Sequence, residues 1–107
     1  MTDIFIERRL TLQNSGEVCV RLFRPTLDDV DYRCDVHIDW PDRQQRLHVF
    51  GIDAVQALFL AMQCAHAELL ASPEHGSRTL TWLGGYDFGL PLVGALTSSG
   101  HGGTYAK

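Results

Sequence analysis

Gly51-Ile52-Asp53-Ala54-Val55-Gln56-Ala57-Leu58-Phe59-Leu60-Ala61-Met62-Gln63-Cys64-Ala65-His66-Ala67-Glu68-Leu69-Leu70 decides the fold. It reads as the one long helix of the chain, and it is apolar almost all the way round. A helix of that kind needs cover on more than one side. Asp53 stands where an N-cap belongs, and Gln56 follows three residues later, as in a capping box. Ser72-Pro73 ends the helix after Ala71, because the residue before a proline is pushed out of helical geometry. Ala57, Ala61 and Ala65 recur at four-residue spacing. That small stripe lets another surface come close to the helix backbone. Leu58, Met62 and Leu69 flank it, and Gln56, Gln63 and His66 form a narrow polar strip.

Upstream of the helix the periodicity changes from helical to alternating. Ile4, Ile6, Leu10 and Leu12 share one face, with Phe5, Glu7, Arg9 and Thr11 on the other, which is a strand pattern. Asn14-Ser15-Gly16 is hairpin chemistry. Val18, Val20 and Leu22 resume the inward face until Pro25, which has no N–H to give the ladder. Residues 26–30 read as a loop. Tyr32, Cys34, Val36, Ile38 and Trp40 then alternate with Arg33, Asp35, His37 and Asp39. Pro41 to Gln44 reads as a four-residue turn into a fourth strand carrying Leu47 and Val49. Short connections between consecutive strands predict an antiparallel meander with one wet face. After the helix, residues 74–77 read as a polar connector and residues 79–83 as a short fifth strand. Residues 86–93 should cover part of the helix or a sheet end. The fold class expected is therefore α+β: a four- to five-stranded antiparallel meander with one long helix on one face. Residues 1–96 make the single domain, and the Ser- and Gly-rich residues 97–107 read as a disordered tail.

Composition excludes several functions. The chain has 107 residues, enough for one ordinary domain with its own core. Nine Lys and Arg stand against thirteen Asp and Glu, a formal net charge of −4. That leaves no surplus cation for phosphates, so no nucleic-acid partner is expected. No apolar run reaches the roughly 20 residues that span a membrane, and no secretory leader is evident. Cys19, Cys34 and Cys64 are odd in number and widely spaced, which points to a reducing, cytoplasmic setting rather than a disulfide framework.

Few residues suggest chemistry. With a four-residue turn, Asp39 falls opposite Arg46, His37 opposite His48 and Asp35 opposite Phe50. His37, His48, Asp35 and Asp39 would then be a candidate divalent-metal or acid/base cluster, since imidazole and carboxylate are the ligands such ions take. The alternative is a solvated strand face, and a one-residue slip abolishes the cluster. Trp40, Trp82 and Tyr86, with Asp53 nearby, could line a ligand pocket between helix and sheet, although aromatics more often fill cores. Arg8 interrupts an apolar face. It reads as a cation for an anionic ligand or partner carboxylate, or as a strand-end side chain reaching water. Asp87-Phe88-Gly89 matches a kinase magnesium-loop tripeptide without any of its companions. No catalytic residue and no cofactor are expected.

Several segments together resemble a known family. They are Arg21-Leu22-Phe23-Arg24-Pro25, Asp31-Tyr32 with Cys34 leading to Ile38-Asp39-Trp40-Pro41, Gly51-Ile52-Asp53-Ala54-Val55-Gln56-Ala57-Leu58, Leu80-Thr81-Trp82-Leu83-Gly84-Gly85 and Gly89-Leu90-Pro91. The resemblance is to a family of small bacterial proteins described as a domain of unknown function, and it covers roughly residues 5–92. The Gly-x-Asp-x-x-Gln-Ala-Leu helix start is its most specific piece. It implies a bacterial, cytosolic origin and transfers no catalytic role. His37 and His48 lie outside it.

The functional expectation is a non-enzymatic protein-interaction module, of accessory, regulatory or immunity type. A four-stranded sheet covers only one side of such a helix, so a homodimer is expected in which the Ala57/Ala61/Ala65 stripe meets its mate. The alternative is a small-molecule or divalent-metal-binding protein using the His37/His48 face or the Trp40/Trp82 pocket.

Overall fold

The computed structural model describes residues 3–91. The elements run β1 (Ile4–Leu12), β2 (Gly16–Phe23), β3 (Thr26–Asp28), β4 (Asp31–Asp39), β5 (Gln44–Gly51), α1 (Ala54–Leu70), α2 (Pro73–Gly76) and β6 (Leu80–Thr81). All strand pairings are antiparallel, and six strands share one sheet. In space the order is β6, β1, β2, β4, β5, with β3 continuing β2 along the same edge of β4. The fold is α+β, a meander with one main helix packed on it. The residues expected to form a tail, 97–107, lie outside the described residues.

Three local expectations change. Residues 26–28 form a strand rather than a loop, because Pro25 interrupts the ladder for one step and Thr26 opposite Arg33 resumes it. The polar connector is a short helix. Ser72 caps it by accepting from the His75 N–H, with Pro73 in the first turn. The fifth strand is shorter than read, since Trp82 and Gly85 exchange backbone hydrogen bonds and close a turn directly after Thr81.

Helix α1 lies across β4 and β5 and touches β2. Its inner face is Ala57, Ala61, Cys64, Ala65 and Leu69, all fully buried with Cys34, Val36, Ile38 and Val49 of the sheet. This corrects the expected dimer face. The alanine stripe is used within one chain, where it brings the helix backbone close to its own sheet. The start of α1 is built as its residues suggest. Asp53 Oδ1 accepts from the Gln56 N–H at 2.8 Å, and Gln56 Oε1 accepts from the Ile52 N–H at 2.7 Å.

The second side of α1 is covered partly by the chain's own residues 86–91, as expected of the segment after Trp82. Phe88 is fully buried, and the Pro91 carbonyl lies 2.8 Å from His66 Nδ1 on the helix.

At the other end of the sheet, Arg43 joins the β4–β5 hairpin to α2. Its guanidinium makes two 2.9 Å hydrogen bonds to the Glu74 carboxylate and lies 4.0 Å over the Trp40 ring. The Arg43 hydrogen bonds hold the Glu74 carboxyl below its ordinary range. A depressed folded-state value stabilises the fold above the unfolded value and is lost as pH falls through the folded one. Glu74→Gln is therefore expected to lower the urea midpoint at about pH 7 and to lose most of that deficit by about pH 3. An equal deficit at both pH values would show that the carboxylate charge is not what matters.

Candidate functional site

The outer face of the sheet carries the charged residues, and here the register differs from the expected one. The Trp40 N–H donates to the Arg43 carbonyl at 2.8 Å, so only Pro41 and Asp42 make the bend. Asp39 pairs with Gln44, His37 with Arg46 and Asp35 with His48. A two-residue bend in place of four slides the pairing by two. Every side chain stays on its face, but no imidazole pair is directly opposed. Proline in the second position of a turn was the available signal.

The residues proposed as metal ligands have other partners. Asp39 accepts from Arg21 and, at 3.4 Å, from Arg46. Asp35 accepts from Arg33 at 2.8 Å. His37 packs against Phe23 with the rings tilted and 4.4 Å apart, and His48 meets Phe50 edge-on at 5.4 Å. Burial, and then Arg46, lower the His37 pKa below its usual value. Among the described residues, no three His, Cys, Asp or Glu side chains are gathered as a metal's ligands would be. The face is a lattice of charge pairs, some across strands and some along one strand.

The thiols are held in their protonated form. Cys19 Sγ donates to Glu7 at 3.2 Å, and burial, with that bond, raises its pKa. Burial pushes Cys34 and Cys64 up to about 12. A thiolate nucleophile needs the opposite environment.

The aromatic pocket is not assembled. Trp40 and Asp53 stand beyond opposite ends of β5. Trp40 is buried and donates from Nε1 to Gln45 at 2.6 Å, while Asp53 is spent on the helix cap. Tyr86 is exposed against Arg78 at 4.5 Å. Trp82 lies beneath Arg8, 4.0 Å from the guanidinium.

Arg8 is the residue whose role the sequence left open. Its Nη1 donates to the carbonyls of Phe88 at 2.8 Å and Gly89 at 2.9 Å. It thereby fastens the segment 86–91, hereafter the strap, across β1. Gly89 makes that contact close. Its φ is +68, and a Cβ there would sit 2.4 Å from the Trp82 ring and 2.9 Å from Arg8 Nη1.

Between β1, α1 and the strap lies a cleft of about 260 Å³. Ile6, Val20, Leu22, Met62 and Leu90 give its apolar walls, and Glu7 and Arg8 its charged residues. A more open hollow of about 350 Å³ adjoins the start of α1, lined by Phe5, Pro25, Val55 and Leu58 among others. Phe5 was expected on the outer face. A β-bulge between Ile4 and Ile6 shifts the register there and brings Phe5 to the helix side. No sequence signal marks that bulge. The result is an apolar surface along the first half of β1, where Ile4, Phe5 and Ile6 are 52, 43 and 42 % exposed. Beyond Leu10 the outer edge of β1 is taken by β6, which pairs with Thr11 and Leu12.

The family model described as Domain of unknown function (DUF6968) matches residues 6–92. The chain belongs to this family. No curated protein and no solved structure matches it. The DUF6968 match runs from Ile6, within β1, to the strap, so the cleft, the Arg8 clamp and the α1 start all lie within it. Among the described residues, no helix is long and apolar enough to cross a membrane.

Proposed function

We propose that this is a small non-enzymatic interaction module of the bacterial cytoplasm, accessory or regulatory in kind, which self-associates through the first half of β1. One observation carries the reading. Ile4, Phe5 and Ile6 stand exposed on a strand half whose outer edge, among the described residues, has no pairing strand. Unpaired edge groups beside exposed apolar side chains form a template for another strand. A second copy paired antiparallel about Ile6 sets Asp3 of each chain opposite Arg9 of the other. Three free, buried cysteines support a reducing compartment.

The test is the mass in solution. The wild-type chain is expected to sediment as a dimer at tens of micromolar, and Ile6→Glu as a folded monomer with an unchanged circular dichroism spectrum, because Ile6 is exposed. A wild-type chain that stays monomeric at high concentration overturns the reading. The bulge and the inward Arg8 would then be edge protection.

A further inference from the structure

The cleft beneath the strap has a chemistry that self-association does not use. Arg9, Arg21, Arg33, Arg43 and Arg46 each contact a carboxylate, while Arg24 and Arg78 lie over aromatic rings away from this cleft. Arg8 contacts none among the described residues, and its bonds go to two neutral carbonyls. Both bonds leave from Nη1, so Nε and Nη2 donate to no described residue. Glu7 also lines the cleft, but its carboxylate is engaged by Cys19 and Arg21 rather than by Arg8. A part-buried guanidinium with spare donors thus forms one wall of a cleft whose other lining is mainly apolar, with Met62 and Leu90 opposite and Glu7 and Gly89 beside it.

We propose that this cleft binds a small carboxylate with an apolar body, the carboxylate on the free edge of Arg8 and the chain against Met62 and Leu90. A charge-assisted, forked hydrogen bond is what a guanidinium offers a carboxylate. The size points to a short ligand. The cleft of about 260 Å³ lies at the small end of small-molecule pockets, which run from about 300 to 1,000 Å³. That suits a medium-chain or arylalkanoic acid better than a long-chain lipid. The strap is the lid of the site only in the sense that Gly89 and Leu90 form one wall, and the Trp82 ring under Arg8 makes the event visible.

The probe is octanoate, compared with octan-1-ol, titrated into the full chain. Trp fluorescence and amide shifts are the readouts. Octanoate is expected to shift Ile6, Arg8, Met62 and Leu90, and to bind about tenfold more tightly than the alcohol, as a hydrogen bond to a charged group requires. Arg8→Gln should remove the preference for the acid. Because Arg8 also fastens the strap, Met62→Trp is the second variant. It fills the cleft without touching the clamp and should abolish binding of both probes. Equal affinity for acid and alcohol overturns the assignment of Arg8. Shifts that spread elsewhere, or that persist in Met62→Trp, overturn the site. A dimer that forms normally while octanoate fails to bind separates this inference from the self-association reading.

Discussion

Gly51→Ala is expected to cost the fold about 3 kcal/mol or more, the upper range of overpacking effects, and to lower the melting temperature by at least about 12 °C. Gly51 ends β5, and α1 begins three residues later. A Cβ at Gly51 would lie 2.4 Å from the Ala57 backbone nitrogen, 2.8 Å from Ala57 Cα and 2.9 Å from the Gln56 carbonyl carbon. Those are main-chain atoms of the first helical turn, and no rotamer change moves them. Relief requires the helix to lift, yet Ala57, Ala61 and Ala65 sit at zero exposure against the sheet. Lifting would open a gap along the whole stripe, and gaps in a packed core lose contact energy without gaining water. Gly76 gives the control. Nothing lies within 4 Å of a Cβ built there, so Gly76→Ala should stay within about 0.5 kcal/mol of wild type. Thermal melts followed by circular dichroism compare the two. A Gly51→Ala melting temperature within about 4 °C of wild type, the shift of roughly 1 kcal/mol, would show that the junction yields.

The helix start thus explains itself physically. Gly51 admits the helix backbone, Asp53 and Gln56 satisfy the first amides, and Ala57 is the closest approach to the sheet. Residue type and spacing made that much readable. The four long strands were readable for the same reason, since alternation reports a half-buried ladder directly. Three things were not. The bend at Pro41-Asp42 has two residues rather than four, and that difference slid His37 away from His48. The bulge at Phe5 has no residue signature, because a bulge is a mismatch between two strands and not a property of either. The alanine stripe announced a close approach without saying whether the other surface was the chain's own. Periodicity is local, whereas pairing and cover are relations between distant segments. Arg8 shows the same limit. Its place on an apolar face was plain, but its partners are carbonyls 80 and 81 residues away.

Phe88→Ala should be as damaging as the glycine change, by about 3–5 kcal/mol. Phe88 has zero exposure and is the largest of the fully buried side chains. It meets His66 of α1 edge-on at 6.3 Å and His75 of α2 at 5.6 Å, so one ring anchors the strap to both helices. Removing it leaves a cavity under a segment otherwise held by Arg8 and the Pro91 contact to His66. The His66 contact is worth about 1 kcal/mol and each bond from the charged Arg8 about 1.5–3 kcal/mol. With the ring gone, these contacts alone would hold the strap over an empty site. The variant should therefore lose its strap before its sheet, with amide exchange rising first at residues 86–91 and dye binding appearing along the uncovered flank of α1. Phe88→Leu, which keeps most of the volume, should retain most of the stability. If Phe88→Ala instead cost under about 1 kcal/mol with exchange unchanged, the strap would be an ornament on a sheet and helix already complete without it.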